Sequence, residues 1–578
     1  MVDCLFVSMG VSAMIKVGNG ENDKNKKIIL SIADDVKYDL GEARGYRGFA
    51  IETKEDGIYI YGNDERVIAQ AVYYTEELMT LARAPFMAFG KILKKPLYTP
   101  QMVHSGYGLD EYPDEYLAHV AHAGRDAILI FVKGVTLVGE SVAFPSKDPR
   151  TSGRLYGSDV VEGIPTGRTP SGWFPCSDYP QWLNFIKKII RKYNKDAEIV
   201  FWTYNWGFQP KEERIKLIEN LPQDIILQAT FEMFQERSLD GSKYESADYS
   251  LAPAESGDYF KSEAEAAKKR GIRLHSMTNT GGLTWDMGVI PYEPFPYQWI
   301  KRYKSMDEAR EKWSLSGLME CHHYGMYPSF ISKFSKWVFM DLERDYEKIL
   351  MDVIKSEFGK ENAEDVDKAL RLWSDAISFY TPTDADQYGA FRVGPSYPFC
   401  LDRKMKIPAL PYRMLDICTI DYDEQNNGRN ALSSIRVEKE IKSIEKMRAY
   451  IEDGIKILKA IENPNEELLY LVNLGEFILC TVTTGLNAKK WYRLKNSLKS
   501  ESDKKVLGEI LDKMHALLTK ERENAESAIP FVRKDSRLGW EPSMEYMTDE
   551  RRILWKLRQI DYVINVEIQK YRKSLAKA

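Results

Sequence analysis

Three acidic residues stand directly behind short apolar runs of the chain. Glu232 follows DIILQAT, Asp286 comes shortly after IRLHSM, and Glu320 closes GLME. Around them lie Trp202, Tyr204, Asn205 and Trp206 at the end of EIVFWT, Asn279 and Trp285 beyond IRLHSM, and His322, His323 and Tyr324 beyond Glu320. If the runs are strands ending at one rim, the carboxylates and rings meet there. A paired set of carboxyl groups, one protonated and one ionised, is what cleavage of a glycosidic bond needs. Glu232 with Glu320, or Glu320 with Asp286, would supply that pair. Neighbouring rings would desolvate one carboxyl and raise its pKa, and their flat faces suit the apolar C–H side of a sugar.

Two further groups invite a chemical reading. Four of the seven histidines (His104, His275, His322 and His323) fall at or near the candidate strands. Adjacent histidines on a strand point to opposite faces and the spacing matches no standard ligand motif, so neither a metal nor another cofactor is expected. Asp384 to Pro398 (DADQYGAFRVGPSYP) departs from helical periodicity and could reach back over the rim, where Arg392 would meet a carboxylate or sulfate in fork geometry.

Positioning such groups requires a scaffold of parallel strands. From about residue 100, candidate strands at Met102–Gly106, 127–132, 198–203, 224–230, 272–277 and 317–320 alternate with helical segments such as 116–123, 180–193 and 262–270. Their apolar runs are short and continuous, as in strands buried on both faces. A (β/α)8 TIM-type barrel with catalytic groups at its C-terminal rim is the expected architecture. Before it, residues 27–32, 48–53 and 57–62 read as strands and 65–83 as a helix. Beyond about residue 332 nearly everything reads helical. The expected organisation is a small α/β accessory domain (1–98), the catalytic barrel (99–340) and an α-helical C-terminal domain (341–578).

Bulk properties narrow the classes. With 578 residues, 29% charged residues and a net charge of -5, the chain has no basic field for nucleic acid. No apolar run comes near the roughly 20 residues of a membrane span, and no basic region precedes the N-terminal apolar stretch, so a non-secreted, cytoplasmic protein with no membrane partner is expected. Six cysteines without a CxxC pair read as reduced thiols. Aromatic residues at 12% agree equally with ring platforms for sugar and with a large aromatic core.

GFAIETKEDGIYIYGNDERVIAQAVYYTEELM resembles the accessory α/β domain that precedes the barrel in β-N-acetylhexosaminidases and α-glucuronidases. NTGGLTWDMGVIPYEPFPYQW is similar to a loop of glycoside hydrolase family 67, which implies Asp286 as the residue that helps activate water; LPQDIILQATFEMFQE can be laid over the same region and implies Glu232 instead. MECHHYGMYPS likewise places Glu320 at that family's second basic carboxylate. The adjacent Asp-Glu pair of family 20 has no counterpart at the candidate strand ends.

The expected protein is therefore an exo-acting glycoside hydrolase taking a terminal sugar, an N-acetylhexosaminide or uronide by resemblance, from an oligosaccharide or glycoside. The helical domain is the face through which a homodimer could form. The competing expectations are an inactive carbohydrate-binding barrel and a barrel enzyme of another class, a lyase or metal-dependent hydrolase.

Overall fold

The computed structural model describes residues 1–18, 26–82, 84–104, 112–129, 160–161, 164–165, 175–204, 210–246, 248–322, 325–340, 344–401, 434–541 and 545–577. Near the N-terminus, β1 (Lys27–Ile32), β2 (Phe49–Lys54), β3 (Gly57–Gly62) and β4 (Gly90–Lys94) form a sheet in the order β1-β3-β2-β4. β2 and β3 make a hairpin, and β1 runs parallel to β3. Gly57 is required at their contact, since a Cβ there would lie 2.3 Å from the Lys27 carbonyl oxygen. Helix Glu65–Ala82 covers one face, burying Val67, Ala71, Tyr74 and Met79 against Phe49, Ile51 and Ile60. β4 was not anticipated; as an edge strand it has only exposed and half-buried side chains, so it carries no apolar alternation.

Two strands, β5 (Gln101–His104) and β6 (Ala127–Leu129), open a second sheet that continues with β7 (Val200–Trp202) and β8 (Ile226–Thr230). A hairpin of β9 (Gln235–Leu239) and β10 (Ser242–Ser246) follows, turning at Asp240 and Gly241, whose φ values of 46° and 79° are those of a tight turn matched to strand twist. The sheet is completed by β11 (Arg273–Met277) and β12 (Leu315–Met319).

The order is β6-β5-β12-β11-β8-β7, and every pairing is parallel. The last strand thus pairs with the first, which curls the sheet into a half-barrel. Six strands lie among the described residues rather than the expected eight. All five residues of β8 are buried, as its continuous apolar run requires. Connecting helices such as Lys211–Asn220, Asp258–Arg270 and Pro296–Trp313 pack outside.

Beyond the sheet the described residues are mainly helical, in Tyr346–Phe358, Ala363–Ile377, Ser434–Lys459, Glu466–Ser500, Lys504–Ser527 and Glu550–Tyr562, with one short antiparallel pair, Trp540–Glu541 and Glu545–Tyr546. Asp345, Asn465, Asp503 and Asp549 each cap a helix by accepting from backbone N–H groups of its first turn. Gly454 and Gly475 let two of these helices close on Trp373, whose indole would be 2.3 and 2.6 Å from a Cβ at either position.

One apolar cluster runs from the parallel sheet through the helices, from Val103 and Leu227 to Trp373, Phe477 and Leu518; the N-terminal sheet has its own. Glu466–Ser500 does contain a stretch long and apolar enough to cross a bilayer, which the expectation from apolar runs missed because Asn473, Gly475 and Thr481 interrupt it. Of that stretch, 67% is buried inside the protein, as suits a central core helix.

Candidate active site

β8 delivers Glu232 to the rim, and the β9–β10 hairpin returns the chain so that Ser246 and Ser250 face it. Ser246 Oγ donates to Glu232 Oε1 at 2.7 Å, and the Ser250 N–H donates to Oε2 at 2.9 Å. Dipoles therefore hold this carboxyl, and among the described residues no cation bonds it. Burial pushes it up to about 7, and the more distant Arg237 and Arg302 pull it down only in part.

Asp286 lies beside the same loop. Its Oδ2 accepts from the N–H groups of Leu251 at 2.7 Å and Ala252 at 3.3 Å. Burial raises it to about 6. One loop thus serves two carboxyl groups, Glu232 through the Ser250 N–H and Asp286 through the Leu251 and Ala252 N–H groups. Glu293 stands next to Asp286; Thr284 Oγ1 donates to Glu293 Oε1 at 2.6 Å and accepts the Asp286 N–H at 3.3 Å. Burial, then the neighbouring Asp286 charge, hold Glu293 well above its ordinary value.

Arg302 shapes the loop from below. Its Nε donates to the Ala254 carbonyl at 2.6 Å, Nη1 to Thr278 at 3.1 Å, and Nη2 to Ser250 and to Pro253 at 3.2 Å. The guanidinium spends its N–H groups on carbonyl oxygens, so it fixes the backbone without forming a direct ion pair with any of the three acids.

Glu320, at the end of β12, is placed differently. Arg125 Nη2 lies 2.6 Å from its Oε2, and both side chains are fully buried. Arg125 is itself fixed by the Ala123 carbonyl at 2.6 Å and Ser335 Oγ at 2.8 Å. Burial still raises Glu320 to about 7 against the pull of Arg125. Both pairs expected from the sequence contained Glu320; the loop at residues 250–252 bonds Glu232 and Asp286.

Rings line the region between. Trp202 and Tyr204 stack at 4.8 Å, and His322 meets them edge-on at 4.9 and 4.8 Å. Tyr249 lies 5.5 Å from His322 and 5.9 Å from Trp285. Asn279 sits just past β11 in the left-handed region at φ 53°, buried, with no hydrogen-bond partner for its Oδ1 among the described residues. Asn205, Trp206, His323 and Tyr324 lie outside the described residues.

Arg392 departs from expectation. It is fully buried, donates to Glu541 at 2.9 Å and lies flat over Trp285 with its guanidinium carbon 3.8 Å from the ring centre, so it steadies a platform instead of meeting a ligand acid. His104 and His275 are pushed down to about 4 by burial and are neutral core residues. Among the described residues no group of three or more His, Cys, Asp or Glu side chains is placed to hold a metal ion.

Sequence reasoning missed Glu293, Arg302, Ser250, Asp248, Tyr249 and Tyr388. Glu293 was visible within YEPF on the loop already singled out. The others carry no local signal, because their roles rest on contacts between distant segments.

No protein-family model matches the chain, and no curated protein sequence does. Among solved structures, the chain is similar to an enzyme of glycoside hydrolase family 138 that targets pectin rhamnogalacturonan II, with a TM-score of 0.53 and 10% identity over 100% of this chain and 96% of that one. A glycoside hydrolase of family 84 aligns with a TM-score of 0.37 and 12% identity over 87% of this chain and 88% of that one, too slight a likeness to add to the first. These families are not the 67 and 20 types that short segments of the sequence resemble. The likeness concerns architecture alone: the chain shares its overall fold with a glycoside hydrolase.

Proposed function

We propose that the protein is a glycoside hydrolase that removes a terminal sugar, with Glu232 and Asp286 as its working carboxyl pair. The observation that carries this reading is that one loop, residues 250–252, gives its backbone N–H groups to two buried carboxyl groups that follow parallel strands, beside Tyr249 and Trp285. Glu232, near 7, keeps a proton to give to the leaving oxygen. Asp286, near 6, is ionised at neutral pH and acts as nucleophile or as the base that activates water.

In this reading residues 99–340 close as an eight-stranded barrel, residues 1–98 flank it, and 341–578 wall the rim into a pocket that admits a chain end. Trp202, Tyr204, Trp285 and His322 would contact the sugar, with Asn279 bonding its hydroxyls. An N-acetylhexosaminide or a uronide remains the proposed substrate class, although Arg392, the cation expected to meet a uronide, is committed to Glu541.

A panel of nitrophenyl N-acetylhexosaminides, galactosides and glucuronides, with pectin rhamnogalacturonan II added because of the family 138 structure, tests the reading. Turnover of one member, abolished in Glu232→Gln and Asp286→Asn while calorimetric binding persists, is the expected result. Binding without turnover in the wild type would make it a carbohydrate-binding barrel.

A further inference from the structure

The loop that presents Ser250 is gripped from two sides. Arg302 holds its carbonyl groups from the sheet side, as described above. From the helical side comes Gln387, fully buried, whose Nε2 donates to the Tyr249 carbonyl at 2.9 Å while its Oε1 accepts the Asp248 N–H at 3.3 Å. One side-chain amide thus bonds the N–H of one residue and the C=O of the next.

The residues on either side of Gln387 are anchored as well. Tyr388 donates its hydroxyl to Asp248 Oδ2 at 2.6 Å, and Asp248 Oδ1 accepts the Tyr249 N–H at 2.9 Å. Asp386 accepts from Lys489 at 2.8 Å; Lys489 also bonds Glu440 at 2.6 Å, and Glu440 accepts from Arg436 Nε at 2.6 Å. A continuous polar chain therefore runs from the long helices through Asp386 and Gln387 to Asp248 and Tyr249, one residue before Ser250.

We infer that Gln387 is a positioning residue for the proposed hydrolysis: by fixing the Asp248–Tyr249 backbone it aims the Ser250 N–H at Glu232 and the Leu251 and Ala252 N–H groups at Asp286, so the helical part of the chain completes the active site. This rests on the reading of Glu232 and Asp286 given above. These N–H bonds favour the ionised carboxylates. Losing their alignment raises both groups, while their other neighbours stay in place: Arg237, Arg302, Tyr244 and Ser246 around Glu232, and Glu293, Thr284 and Tyr380 around Asp286.

The test uses the full chain with Gln387→Met, which keeps length and volume, and Gln387→Glu, which keeps the acceptor but sets a carboxylate against the Tyr249 carbonyl. Two measurements are made: kcat and KM against pH on a glycoside the wild type cleaves, and an infrared titration of the buried carboxyl groups, with bands assigned by their loss in Glu232→Gln and Asp286→Asn. Kcat should fall about tenfold with KM within about twofold, and both limbs and both infrared midpoints should move to higher pH by about half a unit or more. A fall in kcat with an unmoved profile, unmoved midpoints, or failure of both variants to melt as folded proteins overturns the inference. Should the wild type cleave no glycoside, the functional reading fails, and the infrared midpoints alone still decide whether Gln387 sets these groups.

Discussion

Glu232 and Glu320 end neighbouring parts of one sheet, both are buried, and burial raises both to about 7. They differ in what holds them. Glu232 is met by a hydroxyl and an N–H, partial charges that leave it able to gain and lose a proton at modest cost. Glu320 is met by a complete guanidinium at 2.6 Å, itself locked by a carbonyl and a serine hydroxyl. A buried cation that loses its anion is costly, so Glu320 is bound to its charge by the stability of the fold. Equal acidity therefore does not mean equal availability for proton transfer; the partner decides.

The largest effect should come from the dipole-held corner: Glu232→Gln or Asp286→Asn should lower kcat by about 10³-fold, measured by steady-state turnover, with little change in melting temperature. Equal loss of turnover in a fully stable Glu320→Gln would break the contrast. That variant should instead lose about 3 kcal/mol of stability in denaturant unfolding, because Arg125 is left buried without a charged partner.

The pH behaviour sharpens the same point. Activity should rise as Asp286 ionises near 6 and fall as Glu232 loses its proton near 7, giving a narrow bell in kcat/KM. Stability follows the opposite bookkeeping from an ordinary ion pair. Glu232 is raised in the folded protein from its ordinary 4.5, so its contribution is intact below that value and is lost as pH climbs through about 7. Unfolding measured across this window should show a decline that Glu232→Gln reduces by about one proton. The smallest effect belongs to the rings: Trp285→Phe should raise KM by about threefold with kcat nearly unchanged, since it trims a stacking face without touching the carboxyl groups.

Much of the scaffold was legible because buried parallel strands are short uninterrupted apolar runs. The stretch read as 224–230 is β8 from Ile226 to Thr230, and 272–277 is β11 from Arg273 to Met277. The rule that groups just past strand ends share a rim then brought Glu232, Asp286 and Glu320 forward. The β9–β10 hairpin was overlooked, although Asp240-Gly241 is a turn signal, because its strands are polar and half-exposed. Arg392, expected to meet a carboxylate or sulfate of a ligand, is buried between Glu541 and the Trp285 ring, contacts with distant segments that its own sequence neighbourhood does not signal.

Local apolar patterning and strand ends suffice to read most elements, their parallel arrangement and a set of candidate acids from the sequence. The partners of each acid come from the folded chain alone. Arg125 reaches Glu320, Leu251 reaches Asp286 from the loop whose Ser250 meets Glu232, and Gln387 grips Tyr249, across separations of 195, 35 and 138 residues. No local pattern encodes those meetings, because they exist only when packing brings distant backbone together, and it is their dipoles and charges that give each carboxyl its role.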